Sequence, residues 1–145
     1  MNVGFFMKKI VFFLIVFFTF QTAANNTPSI MEEAEMLGTM SGIAQACNEK
    51  SKKISDFELI AARIIANKTS SEEEEIEGYQ HYARKKAAAM RKQKNNPKLS
   101  CNEILRRFEN MPIFKSVVYS DGSVKLSDGT FLKATRPPAQ LKKNK

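Results

Sequence analysis

Residues 114–132 read FKSVVYSDGSVKLSDGTFL, and here the chain changes period from helical to extended. Phe114, Val117, Val118 and Tyr119 are the aromatic and β-branched types that favour strands. Asp121-Gly122 and Asp128-Gly129 are both strong two-residue hairpin signals, repeated within Ser-Asp-Gly-Ser/Thr. If both form two-residue turns, register follows by counting. Tyr119 opposes Val124, Val117 opposes Leu126, and Leu126 opposes Phe131. These five then share one face and Lys125 lies on the other. The reading predicts strands at about 114–119, 123–127 and 130–134 in an antiparallel meander. Three such short strands need a surface to pack on. The rest of the chain offers helices, so the fold class is α+β.

Upstream, the spacing predicts four helices, at about 30–48, 56–68, 71–93 and 101–110. In the first, Ile30, Ala34, Leu37, Ala44 and Cys47 fall on one face. Beside them Ala34, Gly38, Gly42 and Ala46 recur every fourth residue. A strip of small side chains lets a second helix approach closely, and two helix-interior glycines cost about 0.8–1.0 kcal/mol each unless such contact offsets them. Residues 48–55 read as a polar connector. Ser55 and Glu58 then form a capping box, followed by the stripe Phe57, Ile60, Ala61, Ile64 and Ile65.

Ser71 and Glu74 form a second box. Glu72, Glu73, Glu74 and Glu75 complement the helix dipole as a solvated helix start. Ile76, Tyr79, Ala83, Ala87 and Met90 give the third helix its inward face, and His81 falls on its exposed half. Ser100 with Glu103, bracketed by Leu99 and Ile104, carries the signature of a capped and stapled fourth helix. There Cys101 faces inward with Leu105 and Phe108, and Pro112 closes the helix.

The N-terminus reads as an address. Lys8 and Lys9 precede the apolar run at residues 10–20 (IVFFLIVFFTF), and small residues frame a cut after Ala24. That is the layout of a secretory signal peptide over residues 1–24. The run is shorter than the roughly 20 apolar residues of a membrane span. Met7 is an alternative start. Residues 25–134 then form one small globular domain, and 135–145 (TRPPAQLKKNK) a basic, disordered tail.

The whole chain carries +8. Without Lys8 and Lys9 it carries +6, from 21 basic and 15 acidic side chains. This charge favours anionic partners. An oxidising compartment makes the two cysteines, Cys47 and Cys101, a single disulfide.

Catalytic signatures are missing. His81 is the sole histidine, no G-x-S-x-G frames a serine, and neither a phosphate loop nor a dinucleotide fingerprint occurs. The inventory of nitrogen and sulfur ligands does not furnish a zinc set. No catalytic residue, cofactor or metal is assigned. Residues 44–48 (AQACN) and 100–105 (SCNEIL) are similar to the helix-flanking cysteine segments of small periplasmic acid-stress chaperones, helical proteins with one long-range disulfide. The segments come in the opposite order here, and the β-region has no counterpart.

The sequence thus points to an exported, non-enzymatic partner-binding or envelope-accessory protein of the bacterial periplasm. Its partner is a protein or an anionic envelope component rather than a specific nucleic acid, and no membrane span remains after cleavage. A periplasmic stress chaperone is the alternative, and a hydrolase of envelope polymers is a third.

Overall fold

Gly38 and Gly42 place the first and third helices almost in backbone contact. In the computed structural model, which describes residues 28–136, a Cβ built on Gly38 would lie 2.2 Å from the Tyr82 carbonyl oxygen, and one on Gly42 2.2 Å from that of Lys86. The two helices are α1 (Ile30–Ala46) and α3 (Glu72–Asn95). Residue 38 meets 82 and 42 meets 86, so they run parallel. Helix α2 (Ser51–Lys68) returns between them in sequence. The predicted signal peptide, and the predicted tail beyond Arg136, lie outside the described residues.

Helix α4 (Cys101–Glu109) follows, then a 3-10 turn at Pro112–Lys115 and three two-residue strands, β1 (Val117–Val118), β2 (Val124–Lys125) and β3 (Phe131–Leu132). They form one antiparallel sheet in the order β1-β2-β3. Four helices, a three-stranded sheet and one disulfide make the architecture α+β.

The core forms around α2. Ile54, Phe57, Ile60, Ala61 and Ile64 bury one stripe against Leu37 and Ala44 of α1 and Phe108 of α4. Phe57, Phe108 and Phe114 form a ring cluster with centroids 5.1–5.9 Å apart, in the range where aromatic edges and faces attract. Burial pushes the Tyr82 hydroxyl up to about 12, with the Ser41 hydroxyl pulling the other way.

Serine caps start three helices. The hydroxyls of Ser29, Ser71 and Ser100 accept from the amides of Glu32, Glu74 and Glu103. Only Ser29–Glu32 completes the reciprocal box. The Glu74 carboxylate turns to Ser70, and that of Glu103 to Arg106 and Arg107.

Helix α2 begins one turn earlier than the Ser55 box predicts. Lys50 is its N-cap, without a side-chain bond, and Ser55 lies exposed inside the helix. The extra turn buries Ile54. The 48–55 connector shrinks because α1 ends tightly. Asn48 adopts a left-handed φ of 60°. The amides of Asn48 and Glu49 bond back to Gln45 and Ala44, a Schellman closure.

The strands are shorter than predicted and shifted by one residue. Residues 112–115 are 3-10, so Phe114 joins the ring cluster rather than a strand. The observed pairs are Val117 with Lys125, Val118 with Val124, Val124 with Leu132, and Lys125 with Phe131. A two-residue type I′ turn needs positive φ at both central residues. Here Gly122 (88°) and Gly129 (89°) are the only positive-φ residues of the two hairpins. Each loop is instead a three-residue type I turn closed by a left-handed glycine, with Gly122 bonding to Tyr119 and Gly129 to Leu126. The aspartates hold this form, since Asp121 accepts from the amide of Ser123 and Asp128 from that of Thr130.

A one-residue slip exchanges the faces. Val118, Val124 and Leu132 turn inward, with Val124 fully buried, while Val117, Lys125 and Phe131 turn out. Asn67 of α2 fixes the inner face by donating to the carbonyls of Gly122 and Leu132.

The inward side of α3 also differs from the prediction. Ile76 and Ala83 are exposed, and Glu75 and Gly78 are buried. The close approach at Gly38 and Gly42 sets Tyr82 and Lys86 of α3 against α1 while Gly78 meets Ile65 of α2, which turns Ile76 and Ala83 outward and leaves Tyr79, Ala87 and Met90 half-buried. Glu75 is therefore not part of a solvated helix start. Arg136 reaches it at 3.0 Å and also donates to Thr69 Oγ1 and the carbonyls of Ala66 and Ser71. The first residues assigned to a loose tail thus clasp the start of α3. His81 is half-buried rather than exposed, with Nδ1 3.0 Å from Glu35 and Nε2 3.7 Å from Glu77.

Candidate docking groove

Cys47 and Cys101 form the disulfide. Cys47 is the buried C-cap of α1, and Cys101 is the first residue of α4. Cys101 is exposed rather than inward, because no preceding helical turn covers that position. Ile104 and Phe108 carry the buried face of α4, and Leu105 is half-buried.

The strip Ala34, Gly38, Gly42 and Ala46 is occupied within the molecule. Ala34, Gly38 and Gly42 are buried, Ala46 is half-buried, and the two glycines face α3. It leaves no flat helix face for a partner. A different side of α1 is open, with Met36 and Met40 exposed.

There the disulfide draws α4 against the end of α1 and leaves a cleft of about 280 Å³. Met40, Ile43, Leu99, Ile104, Phe108 and Met111 line it, and Arg107 is its one ionic side chain. A second cleft of about 270 Å³ shares Ile43, Leu99 and Ile104 and continues past Ala89, Lys92, Gln93 and Lys98. Together they form one groove across α1, α4 and the end of α3. Gln93 donates to the Leu99 carbonyl at 3.0 Å and fastens the loop that carries Leu99. Leu99 and Ile104, expected as a staple, line the same wall.

The charged side chains that line the groove are all basic: Arg107 in the first cleft, Lys92 and Lys98 in the second. Between Met90 and Phe108 stand Arg91, Lys92, Lys94, Lys98, Arg106 and Arg107 against one acid, Glu103. Arg107 and then Arg106 hold the Glu103 carboxyl below the usual carboxylate range. Methionines lend such a groove adaptability, because an unbranched thioether chain fits irregular partners.

The geometry offers shape, apolar area and positive charge. Among the described residues no group of three or more His, Cys, Asp or Glu side chains could hold a metal. Both nitrogens of His81 face carboxylates. Among the described residues no helix is long and apolar enough to cross a membrane. Sequence reading misses the groove because its lining comes from α1, the end of α3, α4 and two loops. The one local hint is the Leu99–Ile104 staple. No family model, curated protein or solved structure matches this chain.

Proposed function

We propose that this is a small exported, non-enzymatic binding protein of the bacterial envelope whose groove takes an acidic amphipathic segment of a partner protein. One observation carries the reading: an apolar cleft with Arg107 at its edge runs on into a second cleft lined by Lys92 and Lys98. Apolar side chains at i, i+3, i+4 and i+7 of a partner helix suit such a groove. Partner carboxylates would meet Lys92, Lys98 and Arg107, which speeds association and fixes orientation. Export rests on the leader-like N-terminus, and the mass of the secreted form tests it: a mature chain starting at Asn25 is expected.

The docking test uses a designed helical peptide with leucines at those spacings and glutamates elsewhere, and a twin with lysines in place of the glutamates. Fluorescence anisotropy should show binding of the acidic peptide alone, weakened by salt and abolished by Leu99→Asp. Equal binding of both peptides, or of neither, overturns the proposal. The adaptability of Met40 and Met111 supports a second reading, a periplasmic chaperone for exposed apolar segments. Light scattering of an aggregating client at low pH separates the two, since a dedicated docking protein leaves aggregation unchanged.

A further inference from the structure

We infer that the outer face of the β-meander is a contact surface for an anionic lipid bilayer. The inner face is occupied by α2, whose Asn67 ties the β1–β2 turn to β3. The outer face is uncovered. Val117, Tyr119 and Phe131 project from it with 50%, 43% and 55% of their surfaces exposed. Register sets Lys125 between Val117 and Phe131. Lys133 follows Phe131 by two positions on the same side of β3. Lys115 lines a shallow cleft with Val117 and Lys125.

None of these three lysines makes an ion pair among the described residues. The nearby acids are Asp121 and Asp128. Both are bonded to their own turns, at Ser123 and Thr130, and Lys133 helps hold the Asp121 carboxyl low. The result is a small apolar cluster interleaved with cations.

That combination matches the headgroup layer of a bilayer. Short apolar and aromatic tips enter the boundary with the acyl chains while lysines meet anionic headgroups. A soft surface requires no shape complement from the sheet. The same chemistry could suit single-stranded nucleic acid, but that ligand stacks its bases on open aromatic faces. Here the Tyr119 and Phe131 rings meet at 60° with centroids 5.7 Å apart, so they are partly turned to each other.

The chain contains no tryptophan. Phe131→Trp therefore gives a single reporter on this face, and Leu59→Trp, at an exposed site on α2, gives a control. Each variant is mixed with phosphatidylcholine vesicles, with and without phosphatidylglycerol. Because a fluorophore reports its own surroundings, the apolar run at residues 10–20 does not confound it.

The proposal requires a blue shift and brominated-lipid quenching of the indole in Phe131→Trp, but not of that in Leu59→Trp. Both signals should arise with phosphatidylglycerol vesicles only and be reversed by salt. Each Lys→Gln change at 115, 125 or 133 should weaken the apparent partition by about fivefold, from roughly 1 kcal/mol per cation. A Phe131→Trp reporter that stays solvated, shifts equally with neutral vesicles, ignores the lysines, or shifts with single-stranded DNA instead overturns it. A thermal melt of Phe131→Trp matching that of the parent establishes that the reporter is folded.

Discussion

Replacing Gly42 with alanine sets two effects of opposite sign against each other. Helix propensity alone favours the change by about 1 kcal/mol. The packing forbids it. The new Cβ would stand 2.2 Å from the Lys86 carbonyl oxygen, 2.9 Å from its carbon and 3.0 Å from its Cα. An ordinary C···O approach is about 3.3–3.6 Å, so α3 must withdraw by about 1 Å. The obstacle is helix backbone, which cannot rotate aside as a side-chain tip can. Withdrawal also loosens the matching contact at Gly38, where the Tyr82 carbonyl is equally close. A gap of 0.5–1 Å forfeits roughly a quarter to a half of each dispersion contact across it.

Overpacking of this kind costs about 1–3 kcal/mol, and a rigid obstacle places it at the upper end. Subtracting the propensity gain leaves a net loss of about 2 kcal/mol. For a domain of this size that lowers Tm by roughly 8 °C. Thermal and urea denaturation followed by far-UV circular dichroism measure it. A Gly42→Ala protein as stable as the parent, or more stable, would falsify the close α1–α3 contact.

Four more outcomes follow from particular residues. Ser55→Ala should raise stability by about 0.5 kcal/mol, because Ser55 is an exposed helix-interior residue; a loss near 1 kcal/mol in urea would restore it as a cap. Arg136→Ala removes the bond to buried Glu75 and three further donor contacts. It should cost on the order of 3 kcal/mol, and a melt within 1 °C of the parent would place Arg136 outside the fold. Glu35, held low by Lys85 and then His81, and Glu103, Glu109, Asp121 and Asp128 all have depressed pKa values. Their stabilisation is complete above the ordinary values of 4.5 and 3.8 and is lost as pH falls through the folded values. Tm should therefore hold above about pH 5 and decline below it, and a Tm that rises into acid contradicts these pairings. Replacing both cysteines with serine opens a loop of 54 positions and should lower unfolding free energy by about 4 kcal/mol; chemical denaturation showing a loss under 1 kcal/mol would refute that figure.

Helix starts are legible where a serine does the capping. Ser71 and Ser100 announce themselves in their own neighbourhoods, and the hydroxyl bonds are local. The start of α2 is not legible in this way, because the choice is tertiary. Burying Ile54 extends the helix past a good local cap, and the left-handed Asn48 shortens the connector to allow it. The two hairpins can be located from Asp-Gly, but their register cannot. Asp-Gly fits both a two-residue turn and a type I turn with a left-handed glycine, and the two differ in the conformation of the aspartate and of the serine before it. That choice of loop length decides which residues face outward. The clasp between Glu75 and Arg136 spans 61 positions, and no local pattern announces such a pair. The strip is visible in spacing alone, yet its partner is not, since Tyr82 and Lys86 contribute backbone rather than side chains. The groove stays hidden because the residues that line it follow no single period.

The residues that hold the fold and those left open for binding are largely different. Stability gathers where α1 meets α3, in the Phe57–Phe108–Phe114 cluster, and at two long-range fastenings. The fastenings sit at opposite ends: Cys47 closes the last turn of α1, while Glu75 opens α3, which runs parallel to it. Leu99, Met40, Val117 and Phe131 lie outside all of these and remain exposed. A side chain left about half exposed adds less to folding than a core residue, because that part of its surface stays in water. Stability is therefore a weaker reason to place leucine at 99 or phenylalanine at 131 than it is for a core position. Scattered apolar exposure is ordinary, but here it is gathered into two rimmed patches. Polar replacements at 99 or 131 should cost about 1 kcal/mol and lower the melt by only a few degrees, so binding abolished in a protein that is still folded belongs to the surface.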